Sequence, residues 1–337
     1  KGDDDFLKLK DMSVFAGQLN QLDSREAMGL PFSFSSTQLD DISVNKELFS
    51  INIEELVYIL ESEDKEISER YLAGLLLALK GDPRINTYDP EMINIPKGLV
   101  TIGLKPEDVA KVCNKYKDTG IIEEWIIKET PEVHVNLDSY RIGKYLVTNQ
   151  EYLEFIKENP QEEIPSSWLF GRYPMEFSNH PVYSISPETA DNYCKWISRK
   201  TNRNFRLPTE YEWENAAAGP DRLEFPWGNE FISSFANTVE CGLLRSSPVG
   251  MFAAGNSFYG VTDMAGNVEE FVRDYYHPYD GNLNNGVFDD LAKSNGNYRV
   301  ARGGSFTRFK DLARCKRRHG KYPKDIYVMG FRLAEDI

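Results

Sequence analysis

The stretch Tyr259–Asp274, YGVTDMAGNVEEFVRD, sets Asp263, Asn267, Glu269, Glu270 and Asp274 around two glycines, Gly260 and Gly266. Glycine lets a backbone turn tightly and approach a neighbour closely. Several side-chain oxygens on such a loop, joined by backbone carbonyls, can wrap a hard cation such as calcium. A solvated acidic turn has the same composition. A second concentration of charge lies near the C-terminus. Between Arg299 and Lys324 stand ten basic residues (Arg299, Arg302, Arg308, Lys310, Arg314, Lys316, Arg317, Arg318, Lys321, Lys324) against one acid, Asp311. Such a run either neutralises an acidic body or lines an anion-binding face, and the pattern accommodates both.

The totals exclude several classes. The chain has 337 residues, 41% of them hydrophobic, enough for a sizeable core and consistent with one large domain plus an appendage. A net charge of -14 argues against general nucleic-acid affinity. No apolar run approaches membrane-spanning length, so no membrane association is expected, and KGDDDFLKLK lacks the apolar segment of a secretory signal. The absent initiator Met points to a processed or excised chain. Cys113, Cys194, Cys241 and Cys315 are scattered with no C-x-x-C pair, which predicts reduced thiols in a cytoplasmic protein. No Ser-His-Asp set, P-loop or GxGxxG can be assembled.

These residues need elements to hold them. Ile53, Leu56, Val57, Ile59 and Leu60 recur at helical spacing behind a capping Asn52. A second helix from Ser68 to Leu79 stops at Gly81-Asp82-Pro83. INIPKGLVTIG reads as strands around a Pro-Lys-Gly turn, Lys105–Tyr116 as a short helix, Ile121–Lys128 as a strand, and VHVNLDSYRIGKYLV as two strands. Thr148 and Glu151 fit a capping box for a helix over Gln150–Lys157. Ser186–Thr201 is an amphipathic helix with Pro187 in its first turn. Beyond Leu207, glycine, proline and asparagine alternate with aromatic residues. Disordered chain is poor in aromatics, so this region reads as long ordered loops pinned by buried rings, with short strands at Tyr298–Phe306 and Gly330–Leu333. The division expected is an arm and helical region over 1–88 and a domain over 89–337.

From Met92 onward the blocks IPKGLVTIG, YRIGKYLVTNQEYLEF, HPVYSISPETADNYCKWI, NFRLPTEYEWENAAAG, FPWGN, SSPVG, YGVTDMAGNVEEFVRD, RVARGGSF and GFRLA occur in an order that resembles the formylglycine-generating enzyme family, also called the sulfatase-modifying-factor domain. The resemblance implies an α+β, C-type-lectin-like fold: a small twisted mixed sheet with two helices and extensive loops. Upstream, ERYLAGLLLALKGDPRI is similar to one unit of a HEAT-like helical repeat. Its place resembles the join in larger bacterial proteins where such a domain follows signalling or defence modules. The family's structural calcium site would correspond to Asp263, the carbonyls of Gly266 and Val268, and Glu270. Glu269 and Phe271 depart from it, standing where the family prefers tryptophan. A second ion site would use Asn237 and the carbonyl of Thr238, with Cys241 in place of an aspartate, and a thiol is a poor partner for a hard cation.

The family's oxidase chemistry rests on two cysteines, separated by four residues, whose thiolates hold copper(I) after the GGS-aromatic block. Counting from Gly303-Gly304-Ser305-Phe306, those positions are Arg308 and Ala313, so copper is not expected. Cys315 lies two residues further and reads first as a packed or idle thiol, although the cations around it favour its thiolate. The sulfoxide-synthase branch uses three histidines on N-terminal helices, and none of His134, His180, His277 and His319 lies there. Arg206 and Arg332 sit inside framework blocks and are expected to make structural ion pairs, with His180 also structural. Arg302, Arg308, Arg314, Arg317 and Arg318 follow the strand that forms the family's substrate groove and are expected to contact a ligand, with Trp227, Tyr275, Tyr276 and Tyr279 as groove walls. The expected function is a non-catalytic module that binds a protein or an anionic ligand at this basic face, in the manner of a sensor or of the family's variable binding proteins. The rival is an oxygen-dependent oxidoreductase with an atypical metal site; a scaffold without a ligand is a third reading.

Overall fold

The computed structural model describes residues 7–40, 46–282 and 290–337. Residues 1–6, 41–45 and 283–289, within the expected arm and long loops, lie outside the described residues. The N-terminal arm carries 3-10 turns at Met12–Phe15 and Leu19–Gln21 and a short α-helix, α1 (Ser24–Ala27), whose cap Asp23 accepts from the Glu26 amide at 2.9 Å. Helices α2 (Ile53–Leu60) and α3 (Ile67–Lys80) follow the periodicity, with Asn52 capping the first and Gly81, at φ +100°, ending the second. Both sit directly on the rest of the protein. Leu56, Leu60, Tyr71, Leu72 and Leu76 share a core with Leu243, Met251 and Phe252. A Cβ at Gly74 would lie 2.3 Å from Pro248, so only glycine permits that approach.

Strands β1 (Met92–Ile95) and β2 (Gly98–Ile102) run antiparallel to β4 (Tyr140–Gly143) and β3 (Val133–Leu137) respectively. The register is unchanged across the break, so this is one long ribbon. It is interrupted where Pro96, which has no amide hydrogen, cannot continue the ladder. Its far end carries α4 (Val109–Lys115) and α5 (Glu123–Ile127). The stretch over α5 is a helix, not the strand its apolar run predicts. Glu123 and Glu124 occupy the favourable first turn, and Trp125 and Ile126 pack with Val109, Val112 and Tyr116.

Helix α6 (Asn149–Glu158) begins with the Thr148–Glu151 capping box, and α7 (Pro187–Thr201) with Ser186 and Pro187. Together they bury Tyr152, Phe155, Tyr193 and Trp196 against Phe205 and Phe331. Strand β5 (Phe205–Arg206) leads to α8 (Glu210–Ala218), which carries a second capping box, Thr209 with Glu212. Strand β6 (Glu269–Tyr275) is followed by α9 (Asp290–Asn295), β7 (Arg299–Arg302), β8 (Met329–Gly330) and β9 (Ala334–Asp336). One sheet has the order β1-β4-β9-β5; the other is mixed, with β6 antiparallel to β7 and parallel to β8. Phe331–Leu333, read as strand, lies between β8 and β9 and inserts Phe331 and Leu333 into the core. Among the described residues, no helix is long and apolar enough to cross a membrane.

Candidate functional site

Strand β7 delivers the chain into the basic segment, and the structure sorts its arginines into two kinds. Arg302, Arg314 and Arg318 are held by carboxylates. All three are among the largest fully buried side chains, and each is matched by carboxylates. Arg302 meets Glu210 at 2.8 Å and Glu214 at 3.1 Å. Arg318 meets Glu210 at 2.8 Å, and Arg314 meets Glu129 at 2.8 Å and also contacts Glu224. A buried guanidinium is tolerated only when paired in this way, so the ion pairs account for the burial of all three, and Arg318 also borders the cleft of Tyr275 and Tyr279. Burial pushes Glu210 up, but the charges of Arg318 and Arg302 outweigh it and hold that carboxyl at about 2. Arg206 with Glu212 (2.7 Å) and Arg332 with Glu270 (2.7 Å) are framework ion pairs, as expected. His180 is buried against Ser246 at 2.8 Å, and burial, then Arg245, pushes it down to about 3.

Arg308 and Arg317 are the second kind. They line one cavity with Asp311, His319, Tyr322, Tyr327 and Trp125, and Leu19 and Asn20 of the arm form part of its wall. Arg308 donates to the Ala27 carbonyl at 3.2 Å, and its Nε has no partner. Arg317 donates to the Arg318 carbonyl at 2.6 Å, its Nε is likewise unpartnered, and Asp311 stands 3.8 Å away. An antiparallel bridge to Ala301 brings His319 against β6, where its Nδ1 lies 2.6 Å from Glu269. The arm is tied across this region: Asn20 bonds the Tyr327 hydroxyl, and the Leu22 carbonyl accepts from Lys324. Glu269, which departs from the resemblance, is the one sequence signal for this arrangement, and its partner is His319.

The remaining wall residues are corrected. Trp227 stacks on Phe225 at 5.3 Å within a separate aromatic cluster with Phe231 and Phe235. Tyr275 and Tyr279 line a different cleft, together with Arg318, Glu210, Asp274 and His277. Tyr276 stacks on Tyr298, with Arg318 over its ring at 4.7 Å.

The residues expected to cage calcium do not fit the ion. Glu270 Oε1 accepts from Trp213 and Arg332, and Oε2 from Arg332 at 2.9 Å, so both oxygens are taken. Arg332 also donates to the Thr262 carbonyl and acts electrostatically on Asp263. A guanidinium thus supplies the positive charge that a metal would. The Asp263 carboxylate accepts from the Gly250 amide at 2.9 Å, and burial pushes it up to about 6. At the second set, Asn237 donates to the Arg245 carbonyl and to Ser247, and the Cys241 thiol approaches its oxygen at 3.5 Å. Burial pushes that thiol up to about 12, so it is no ligand for a hard cation. Gly266 turns at φ +84° against the Asn237 backbone, and Val268 is core. Thr238 carries a buried hydroxyl without a partner. Among the described residues, no group of three His, Cys, Asp or Glu side chains could hold a metal.

Nor do the donors fit copper. Arg308 and the buried Ala313 stand at the thiolate positions. Cys315 packs with Trp213, Val272 and Val300, where burial outweighs the nearby cations and pushes its thiol up. All four cysteines are free thiols.

A mixed sheet with long loops pinned by buried arginine–carboxylate pairs, and a polar cavity where a thiol pair would stand, defines a formylglycine-generating-enzyme fold without its copper ligands. The chain belongs to the sulfatase-modifying factor enzyme 1-like domain family, whose pattern matches residues 80–337. It is 32% identical over 227 residues to the serine/threonine-protein kinase Pkn1 of Chlamydia trachomatis, covering 62% of this chain and 35% of that protein. It is 30% identical over 247 residues to hercynine oxygenase of Mycolicibacterium smegmatis, covering 62% and 56% respectively. The chain therefore spans about a third to just over half the length of these curated relatives. The solved structure of PvdO from Pseudomonas aeruginosa superposes with a TM-score of 0.56 at 25% identity, covering 74% of this chain and 95% of that one.

Proposed function

We propose that this domain is a recognition module: it keeps the family's fold, lacks the copper-dependent oxidation, and takes a ligand at the cavity walled by Arg308 and Arg317. The observation that carries the reading is the chemistry at the two thiolate positions. A guanidinium and a methyl group offer no soft donor, so copper(I) has nothing there to hold it. The buried polar atoms at the cavity wall lack partners, and such groups are costly unless something satisfies them. A role within a larger signalling protein draws its support from the name of the kinase relative.

Copper(I) titration against a competing chelator, followed by assay on a cysteine-containing sulfatase peptide, tests the reading. It expects neither stoichiometric copper nor aldehyde. Tight copper binding with aldehyde formation would replace it by an oxidoreductase with an atypical metal site.

A further inference from the structure

We infer that the free edge of β2 is a docking strip for an extended acidic peptide of a partner protein, which pairs with residues 98–101 as an added strand. The strip stands apart from the cavity of Arg308 and Arg317. β2 is hydrogen-bonded to β3 on one side, and the two form a sheet of their own. Alternate residues of an antiparallel strand turn their N–H and C=O groups away from the partner strand. Among the described residues, no backbone group bonds to β2 on that outer side. The fold closes this edge at both ends. Pro96 has no amide hydrogen to offer. At Gly103 the amide donates to Glu214 at 2.9 Å, and the carbonyl accepts from Arg222 at 3.0 Å. Between these points the edge is open. Residues 96–101 all line one cavity of about 270 Å³, opposite Asn215, Ala218, Tyr259 and Lys316. Successive side chains of a strand point to opposite faces, so a cavity that meets six residues in a row lies along the edge, where the backbone is presented.

Gly98 is a second, independent observation. Its φ is not positive, and a Cβ there would meet nothing within 4 Å. Glycine in a strand often marks a bulge, a tight bend or the close approach of another backbone. The β2–β3 register is continuous, which excludes the bulge, and a φ open to other residues gives a bend no need of glycine. Charge selects the peptide. Lys97, Arg222 and Lys316 line the cavity with one acid, Glu214. Both Glu214 oxygens are taken, by Arg302 at 3.1 Å and by the Gly103 amide. Arg222 is paired with Glu132 at 2.8 Å. Among the described residues, Lys97 and Lys316 make no ion pair. Lys316 acts electrostatically on Glu224, which Arg314 already holds. Acidic side chains therefore meet two uncommitted lysines, and Leu99, 68% exposed, offers an apolar contact between them. A second copy's β2 would instead set Lys97 and Lys316 against like charge. At about 3.4 Å per residue, the open edge matches about four residues of peptide.

The test uses the full chain. The probe is a fluorescein-labelled peptide of about eight residues alternating valine with glutamate, long enough to span the open edge. Its comparisons are the lysine counterpart and the glutamate peptide N-methylated on either alternate set of amides. Fluorescence anisotropy reads binding, and hydrogen exchange reads the β2 backbone. The glutamate peptide is expected to bind saturably and to slow exchange at alternate amides between Gly98 and Thr101. One of its N-methylated forms should bind at least about tenfold more weakly, having lost its hydrogen bonds to the edge. Lys97→Glu combined with Lys316→Glu should weaken the glutamate peptide at least about fivefold. Gly98→Val, which narrows the approach, should weaken it while the thermal midpoint stays near that of the wild type. The wild-type exchange data decide the matter even if a variant fails to fold. Unchanged exchange in β2 would overturn the inference, as would N-methylated forms that both bind as well as the parent, which is charge attraction alone. A lysine peptide that binds as tightly would overturn the acidic class. Protection of the same amides without peptide, rising with protein concentration, would make a second copy the occupant and overturn the assigned one. None of these results touches the recognition reading, which stands or falls on the copper and aldehyde assay.

Discussion

Arg314 and Glu129 meet in the interior at two points, guanidinium Nη1 and Nη2 on carboxylate Oε2 and Oε1 at 2.8 and 2.9 Å, with neither side chain exposed. Removing one partner of such a pair leaves an uncompensated charge in the core. Glu129→Gln is therefore expected to cost about 3 kcal/mol, the lower end for a broken buried pair because Glu224 still touches Arg314. Urea unfolding measures it. Glu176→Gln, in an exposed pair with Arg172, is the control and should change stability by less than about 1 kcal/mol.

Two buried carboxyls contribute to the pH dependence of stability in the same direction. Burial pushes both Glu151 and Glu240 up to about 7, and it outweighs the hydrogen bonds from Thr148 and Lys310 respectively. In the unfolded chain both ionise near the ordinary glutamate value of about 4.3. The folded state therefore holds protons that the unfolded state has already lost. Their contribution is complete below about pH 4.3, declines as pH rises toward 7, and is gone above it. Glu240→Gln should flatten this decline by an amount on the order of 3 kcal/mol, read as urea midpoints at pH 5 and pH 8. An unchanged slope would show that Glu240 is ionised in the folded protein.

Helices α2, α3, α6 and α7 were legible because their signals are local. Thr148 and Glu151 are three residues apart, and Ser186-Pro187 opens α7 next to the apolar face it starts. The ion-pair core was not legible, for the opposite reason. Arg302, Arg314 and Arg318 look like a solvent-facing basic run until Glu210, Glu214 and Glu129, distant in sequence, fold over them. Charge density in a sequence does not report which carboxylate lies opposite. The candidate cavity was half legible. Arg308 and Arg317 stand out in the sequence, but its arm wall at Leu19 and Asn20 lies outside the family's span at 80–337 and carries no motif.

Gly266 is fixed by two independent constraints. Its φ is +84°, and a Cβ there would lie 2.6 Å from the Asn237 carbonyl oxygen. Gly266→Ala should destabilise by more than about 1 kcal/mol, because strain and collision act together. Gly98 meets nothing within 4 Å and has no positive φ. Gly98→Ala should be neutral or stabilising by up to about 1 kcal/mol. The contrast in chemical denaturation is the check.

Arg332 supplies the counter-charge to the buried Glu270 carboxylate. Its Nε and Nη2 bond Glu270 at 2.7 and 2.9 Å, Nη2 reaches the Thr262 carbonyl, and Nη1 reaches the carbonyls of Gly143 and Lys144. A ligand that binds only the folded state raises the thermal midpoint, and its removal lowers it. With Glu270 neutralised from within, a calcium chelator should leave the wild-type midpoint unchanged, and added calcium should not raise it. Arg332→Met strips the cation from a fully buried carboxylate and should cost about 3–5 kcal/mol. In that variant Glu270 and Asp263 lose their internal counter-charge, so calcium should restore part of the lost stability. A wild-type midpoint that falls on chelation would mean that a metal and Arg332 share the site.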